Sequence, residues 1–124
     1  MIYLDTHVVV WLYAGRTDLL SALAVERIES EDLYVSPIVQ LELTFLQEID
    51  RLSVESARII ETLSQQIGLS LCDMPFANVI LESIGQKWTR DPFDRLITAQ
   101  AIARNAQLLT KDRHILENCP FAIW

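Results

Sequence analysis

Asp5, Glu42, Asp94 and Asp112 are the side chains of this 124-residue sequence whose types and settings could do chemistry together. Asp5 directly follows the apolar run Ile2-Tyr3-Leu4, and Asp112 follows the run Gln107-Leu108-Leu109-Thr110. If both runs are parallel strands, both acids lie beyond carboxyl ends, where α/β sheets bind ligands. Either aspartate alone also reads as a helix cap or turn former. Glu42 falls among Ile38, Leu41, Phe45, Leu46 and Ile49, which share one stripe at helical spacing. A carboxylate inside such a stripe is costly unless paired or coordinated, so an ion pair, a solvated end of the stripe and a functional acid all stay open. In Arg90-Asp91-Pro92-Phe93-Asp94-Arg95-Leu96-Ile97, Asp91 reads as a helix cap ahead of Pro92, and Asp94 sits where a helix dipole favours negative charge. Asp94 nevertheless precedes a buried face of Leu96, Ile97, Ala101 and Ile102, which would turn it toward the strand ends.

Four converging carboxylates cannot all stay ionised without cations. Hard oxygen donors select Mg²⁺ or Mn²⁺, with Ca²⁺ a weaker fit. Mg²⁺ shares its shell with substrate phosphate, so the chemistry in view is phosphodiester displacement by an activated water. The sequence lacks a Cys/His ligand set, which argues against zinc. His7 and His114 are its two histidines and supply no plausible serine triad. Cys72 and Cys119 have neither metal-ligand spacing nor a disulfide framework and read as buried thiols.

The elements that must position these acids alternate short apolar runs with helical segments. Strands are expected at 2–4, 33–35, 69–72 and 107–110, with a fifth at 121–124. Helices are expected through 8–12, where the β-branched run leaves the assignment ambiguous, and over 21–30. Others start at Pro37 behind a Ser36 cap, run over 53–66 with Gly68 as the stop, and span 75–86 and 91–105. Strands joined by helices favour a mostly parallel sheet of four or five strands covered on both faces. No repeat, low-complexity tract or linker divides the chain, so one domain over 1–124 is expected.

With 51% apolar and 22% charged residues, a packed core is within reach and disorder is excluded. The apolar share is high for so short a chain, which points to surface covered by a second copy or another protein. No apolar run approaches a membrane span, and the N-terminus lacks the features of a signal peptide, so the chain reads as cytoplasmic. The net charge of −7 at first opposes a nucleic-acid partner. It divides unevenly, however: residues 1–86 carry −9 and residues 87–124 carry +2.

Met1-Ile-Tyr-Leu-Asp-Thr-His7, Glu42 in its helix, Asp91-Pro-Phe-Asp-Arg-Leu-Ile97 and Thr110-Lys-Asp112 resemble the PIN domain family. The likeness is strongest to its VapC-type toxins of bacterial toxin–antitoxin pairs, and it covers essentially the whole chain. It implies a PIN-like three-layer α/β/α sandwich and a ribonuclease that uses Mg²⁺ or Mn²⁺ and leaves 5′-phosphate and 3′-hydroxyl ends. A VapB-type antitoxin and a homodimer are the partners it implies. By position Asp5, Glu42, Asp94 and Asp112 match the family's four metal-binding, catalytic acids. Asp91 matches an auxiliary acid or a cap, and Thr6 and Thr110 match hydroxyls that orient an acid or a water. Arg95, Lys111 and Arg113 are candidates for phosphate contact. His7 reads as a packing or surface residue. Leu41 stands where the family often has tryptophan, a departure that touches packing more than chemistry. Two rivals remain: a non-catalytic dimeric binding module, and an aspartate-based phosphoryl-transfer domain, which lacks its second aspartate because position 7 is histidine.

Overall fold

Ile2, Tyr3 and Leu4 are each buried to within 1% of complete, as a strand covered on both faces requires. They form β1 (Ile2–Leu4), the middle of the sheet in the computed structural model, which describes residues Met1–Trp124. In chain order there follow α1 (Thr6–Tyr13), a 3₁₀ turn (Thr17–Leu19), α2 (Ala22–Ser30), β2 (Leu33–Val35) and α3 (Pro37–Glu48). Next come α4 (Ser56–Ile67), β3 (Ser70–Leu71), α5 (Phe76–Ile84), α6 (Pro92–Ala103), β4 (Gln107–Leu109), α7 (Arg113–Asn118) and β5 (Ala122–Ile123).

The five strands are all parallel and lie in the order β3-β2-β1-β4-β5. The chain steps outward from β1 through β2 to β3, then crosses back to the other side of β1 for β4 and β5. This reversal makes the boundary between β1 and β4 the switch point, where loops diverge and leave a crevice. Leu4 and Leu109 are in register across it, so the residues just beyond them meet at the rim. The core is one cluster built on Ile2, Leu4, Val35, Leu108 and Leu109 of the sheet, closed by Val8, Val9, Val39, Leu43, Ile59, Leu63 and Ile97 of the helices.

Helix starts follow local chemistry. Ser36 accepts from the Ile38 amide at 3.4 Å ahead of Pro37, and Asp91 accepts from the Phe93 and Asp94 amides at 2.8 and 3.2 Å ahead of Pro92. Gly68 ends α4 in the left-handed region at φ 71°, where a Cβ is strained. The expected boundaries shift at α4, which begins at Ser56, and at α5, which stops at Ile84 ahead of Gly85. Helix α7 is an addition, too short for periodicity to reveal.

The helical stripe expected on α3 is corrected. Val39 and Leu43 are its fully buried residues, whereas Leu41, Phe45 and Ile49 are 56%, 43% and 44% exposed. Two apolar faces compete on this helix, and apolar spacing alone cannot tell which one meets the sheet. Phe76, Leu81 and Ile84 of α5 are exposed as well, and Phe76 shares a groove with Leu41. Between α3, α5 and α6 lies an apolar groove lined by Ile38, Leu41, Met74, Phe76, Val79 and Leu96.

Candidate active site

Asp5 leaves β1 and caps α1 in one residue. Its amide donates to the Leu109 carbonyl at 3.0 Å, and its Oδ1 accepts from the Thr6 amide at 2.8 Å. Its Oδ2 accepts from the Thr110 hydroxyl at 2.6 Å, so both oxygens of this buried carboxylate have a partner. Thr110 Oγ1 in turn accepts from the Asp112 amide at 3.0 Å, and Asp112 Oδ1 accepts from the Ile115 amide at 2.9 Å to start α7. One hydroxyl therefore ties the loop after β4 to the carboxylate after β1, across the switch point. Asp112 itself is exposed at the rim.

Asp94 stands in the first turn of α6 behind the Asp91 cap, and Glu42 in the second turn of α3. Both are partly buried. The Asp94 carboxyl is pushed up to about 7, first by burial and then by the negative charges of Asp91, Asp5, Asp112 and Glu42. Burial likewise raises Glu42, with Asp5 and Asp91 adding repulsion and the nearby Thr6 hydroxyl and His7 opposing it. Asp5 is raised by burial, while its hydrogen bonds from Thr110 and Thr6 pull the other way. Repulsion from neighbouring acids thus adds to burial in raising the proton affinity of Asp94, Glu42 and Asp5. Helix N-termini of α1, α6 and α7 offset part of that repulsion, since Asp5, Asp91 and Asp112 cap them.

The acids are neighbours, yet no three Asp, Glu, His or Cys side chains are drawn together tightly enough to grip one ion between them. The donor chemistry still fits a hard divalent cation. Every acidic donor is an oxygen, the site carries surplus negative charge, and the buried Thr6 hydroxyl lacks a hydrogen bond of standard geometry although it lies beside Glu42.

The cationic candidates separate. Arg95 donates to the Ser83 carbonyl at 2.7 Å and the Ile84 carbonyl at 3.2 Å, closing the C-terminal end of α5. That bond set gives Arg95 a structural task independent of any substrate. Lys111 and Arg113 are exposed on the loop that carries Asp112. Lys111 Nζ lies 5.8 Å from the ring centre of Trp11, a neighbour that sequence reasoning did not single out because Trp11 is hidden in an apolar run. His7 is exposed, and its ring stands 6.2 Å from that of Trp11. Cys72 and Cys119 are free and buried, and Cys72 Sγ accepts from the Tyr3 hydroxyl at 2.9 Å.

The chain and its fold have counterparts among known proteins. Over 129 aligned residues the chain is 29% identical to Ribonuclease VapC22 of Mycobacterium tuberculosis, covering 99% of this chain and 98% of that one. In fold it is similar to a toxin–antitoxin complex from Klebsiella pneumoniae, with TM-score 0.71 and 17% identity over 100% of this chain and 97% of that one. It is also similar to VapBC2 from Rickettsia felis, solved with a DNA fragment from its promoter, with TM-score 0.70 and 20% identity over 99% and 96% of the two chains. The PIN domain model matches residues 2–119, nearly the whole of the fold just described, and the chain belongs to the PIN domain family.

Proposed function

We propose that this chain is a VapC-type ribonuclease, the toxin of a toxin–antitoxin pair, which hydrolyses RNA phosphodiesters at Asp5, Glu42, Asp94 and Asp112. The observation that carries the reading is the Asp94 carboxyl, raised to about 7 first by burial and then by the charges of its own helix cap Asp91 and of Asp5, Asp112 and Glu42 from three other parts of the fold. A structural network would pair such acids with cations, whereas the side chains of Arg16 and Arg27 form their ion pairs elsewhere, with Asp18 and Glu31. Membership of the PIN family and the 29% identity to a ribonuclease support the same assignment.

In this reading the four acids hold Mg²⁺ or Mn²⁺. Held there, such a cation would offset their charge and supply Lewis acidity toward a water and the phosphodiester. The remaining work belongs to the chain. Thr110 fixes the Asp5 carboxylate through Oδ2 and the Asp112 loop through its own oxygen, so the two acids are held at one spacing. Asp91, bound to two α6 amides, holds the first turn that presents Asp94 and acts as an auxiliary acid at most. Asp94, Glu42 and Asp5 retain protons more strongly than free carboxylates do, so loading the site releases protons and is favoured as pH rises. Lys111 and Arg113, exposed beside Asp112, are the cations proposed to meet substrate phosphates. The apolar face of α3 and α5 offers buried area to a protein partner, and a second copy and a VapB-type antitoxin are the partners proposed.

Asp5→Asn is the sharpest test. The amide oxygen keeps the cap on Thr6, and Thr110 Oγ1, with two lone pairs, can accept from both the new amide and Asp112. The fold should therefore survive while RNA cleavage, and toxicity on expression without an antitoxin, are lost. Folded Asp5→Asn protein that cleaves RNA at the wild-type rate would sink the proposal.

A further inference from the structure

Trp11 is the one tryptophan outside the core packing. Trp88 and Trp124 pack against the core, and the Trp88 indole donates to Gln86 Oε1 at 3.0 Å. Trp11 is not part of that packing, although both of its chain neighbours are. Like Trp88 and Trp124 it is partly buried. His7 stands one helical turn before it, the Trp124 ring meets it edge-on at 6.0 Å, and Lys111 Nζ lies over its face. A partly exposed indole outside the core packing keeps ring surface that a ligand can meet.

Its position narrows the class of ligand. Trp11 is on the helix that Asp5 caps, about 9 Å along the axis from that residue, a reach of roughly one to three nucleotides of a nucleic-acid strand. Lys111 sits between Thr110, which holds Asp5, and Asp112. A π-face, a cation and the proposed catalytic acids therefore meet along one edge of the crevice. Every nucleobase has a face that stacks on an aromatic ring, and its phosphate wants a cation beside it. A protein anchor would instead prefer a dry apolar rim, and most of the exposed apolar surface of this molecule lies elsewhere, on α3 and α5. Here the rim is His7 and Lys111, both exposed.

We propose that Trp11, flanked by His7 and Lys111, is a stacking platform for an unpaired nucleobase of the RNA strand beside the carboxylate site. This rests on the nuclease reading above and adds to it a residue that selects unpaired strand near the scissile bond. Lys111 is then a neighbour of both the base and its phosphate, and its present contact with the indole marks where that phosphate approaches.

The test uses a labelled, mixed-sequence single-stranded RNA that the wild-type protein cleaves in Mg²⁺ buffer. One abasic nucleotide is moved through the positions flanking the cut. Binding is measured by anisotropy on an Asp5→Asn background, and KM and kcat on the active background. Trp11→Leu should raise Kd and KM by about fivefold to a hundredfold with kcat nearly unchanged, whereas Trp11→Phe should restore most of the affinity. One abasic position should weaken binding to Trp11 protein and cost nothing further with Trp11→Leu. Should Trp11→Leu fail to fold, RNA bearing 5-bromouridine, irradiated with protein that retains Trp11, should cross-link to that residue; cross-links confined to other residues overturn the proposal. Folded Trp11→Leu with wild-type KM and Kd also overturns it, even if it loses binding to a protein partner, and leaves the nuclease reading standing provided Asp5→Asn is inactive. Wild-type protein that neither binds nor cleaves RNA overturns both.

Discussion

Replacing Asp94 by asparagine should make the metal-free protein more stable while abolishing its nuclease activity. The folded protein holds the Asp94 proton up to about pH 7, against 3.8 for an unperturbed aspartate. Each tenfold in proton affinity is about 1.4 kcal/mol, so the ceiling on the destabilisation by the ionised form is about 4 kcal/mol. Asp94 is only partly buried, and water screens its neighbours' charges, which reduces the figure to about 1–2 kcal/mol. Asparagine also gives up a favourable first-turn charge on α6, worth about 0.3–1 kcal/mol. The net gain above pH 7 is then about 1 kcal/mol, or roughly 3–6 °C in Tm for a chain of this length.

The pH dependence separates this mechanism from a generic stabilisation. Between about pH 4 and 7 the folded state holds a proton on Asp94 that the unfolded state has released. The wild-type protein therefore loses stability as pH rises through that window. Asparagine lacks that slope. The advantage of Asp94→Asn should be near zero at pH 4, grow to pH 7 and stay level above it. Thermal unfolding in EDTA from pH 4 to 8.5 measures it directly. With millimolar Mg²⁺ the order should invert at pH 8, because a cation stabilises only the protein that retains the full set of acids. A stability difference that is flat across this range, or wild-type protein more stable than Asp94→Asn at pH 8 in EDTA, would show that the acids do not act on one another as argued.

Two further perturbations probe other parts of the reasoning. Thr110→Val removes the hydroxyl that donates to Asp5 Oδ2 and accepts from the Asp112 amide, so it should cost about 1–3 kcal/mol and move the acid limb of the pH–rate profile upward, while Thr110→Ser retains both. An acid limb that stays in place would remove Thr110 from the site. Leu81→Glu on α5, where Leu81 is 71% exposed, should leave the unfolding free energy of the protomer within about 0.5 kcal/mol of wild type while dissociating a homodimer in light scattering; an undisturbed dimer would place the interface on another face.

How much of this was legible in the chain depends on which physical signal each residue carried. The strand run Ile2-Tyr3-Leu4 and the Ser36-Pro37 and Asp91-Pro92 helix starts are local signals, and each is an element boundary in the fold. Because the expected strands were parallel and Asp5 and Asp112 ended two of them, their approach to one rim could be anticipated, and β1 and β4 are neighbours. What closes the distance is Thr110, whose two hydrogen bonds span 105 residues in one direction and two in the other. A threonine at a strand end is common, and its choice of partner is decided by register, which no local pattern encodes.

Glu42 is a proposed site residue whose original physical argument does not hold. Its expected role rested on a stripe of Ile38, Leu41, Phe45, Leu46 and Ile49, read as the face of α3 that meets the core. Three of those residues face outward instead, and Val39 and Leu43 meet the sheet. Glu42 is therefore not an acid lost in hydrocarbon. It lies on the edge between two apolar faces, and its proton affinity is raised by burial and by the charges of Asp5 and Asp91. The distinction bears on function, because an acid stranded in a core would need one fixed partner for life. An acid at the edge of a carboxylate cluster can be charged or neutral according to what occupies the crevice, which suits a group proposed to bind a cation. The outward face that misled the reading also needs an account of its own. A helix apolar on two sides is suited to bury both, one against the sheet and one against a partner. The helix that positions Glu42 thus also contributes to the surface proposed to meet another chain, and association there would bear directly on the acid.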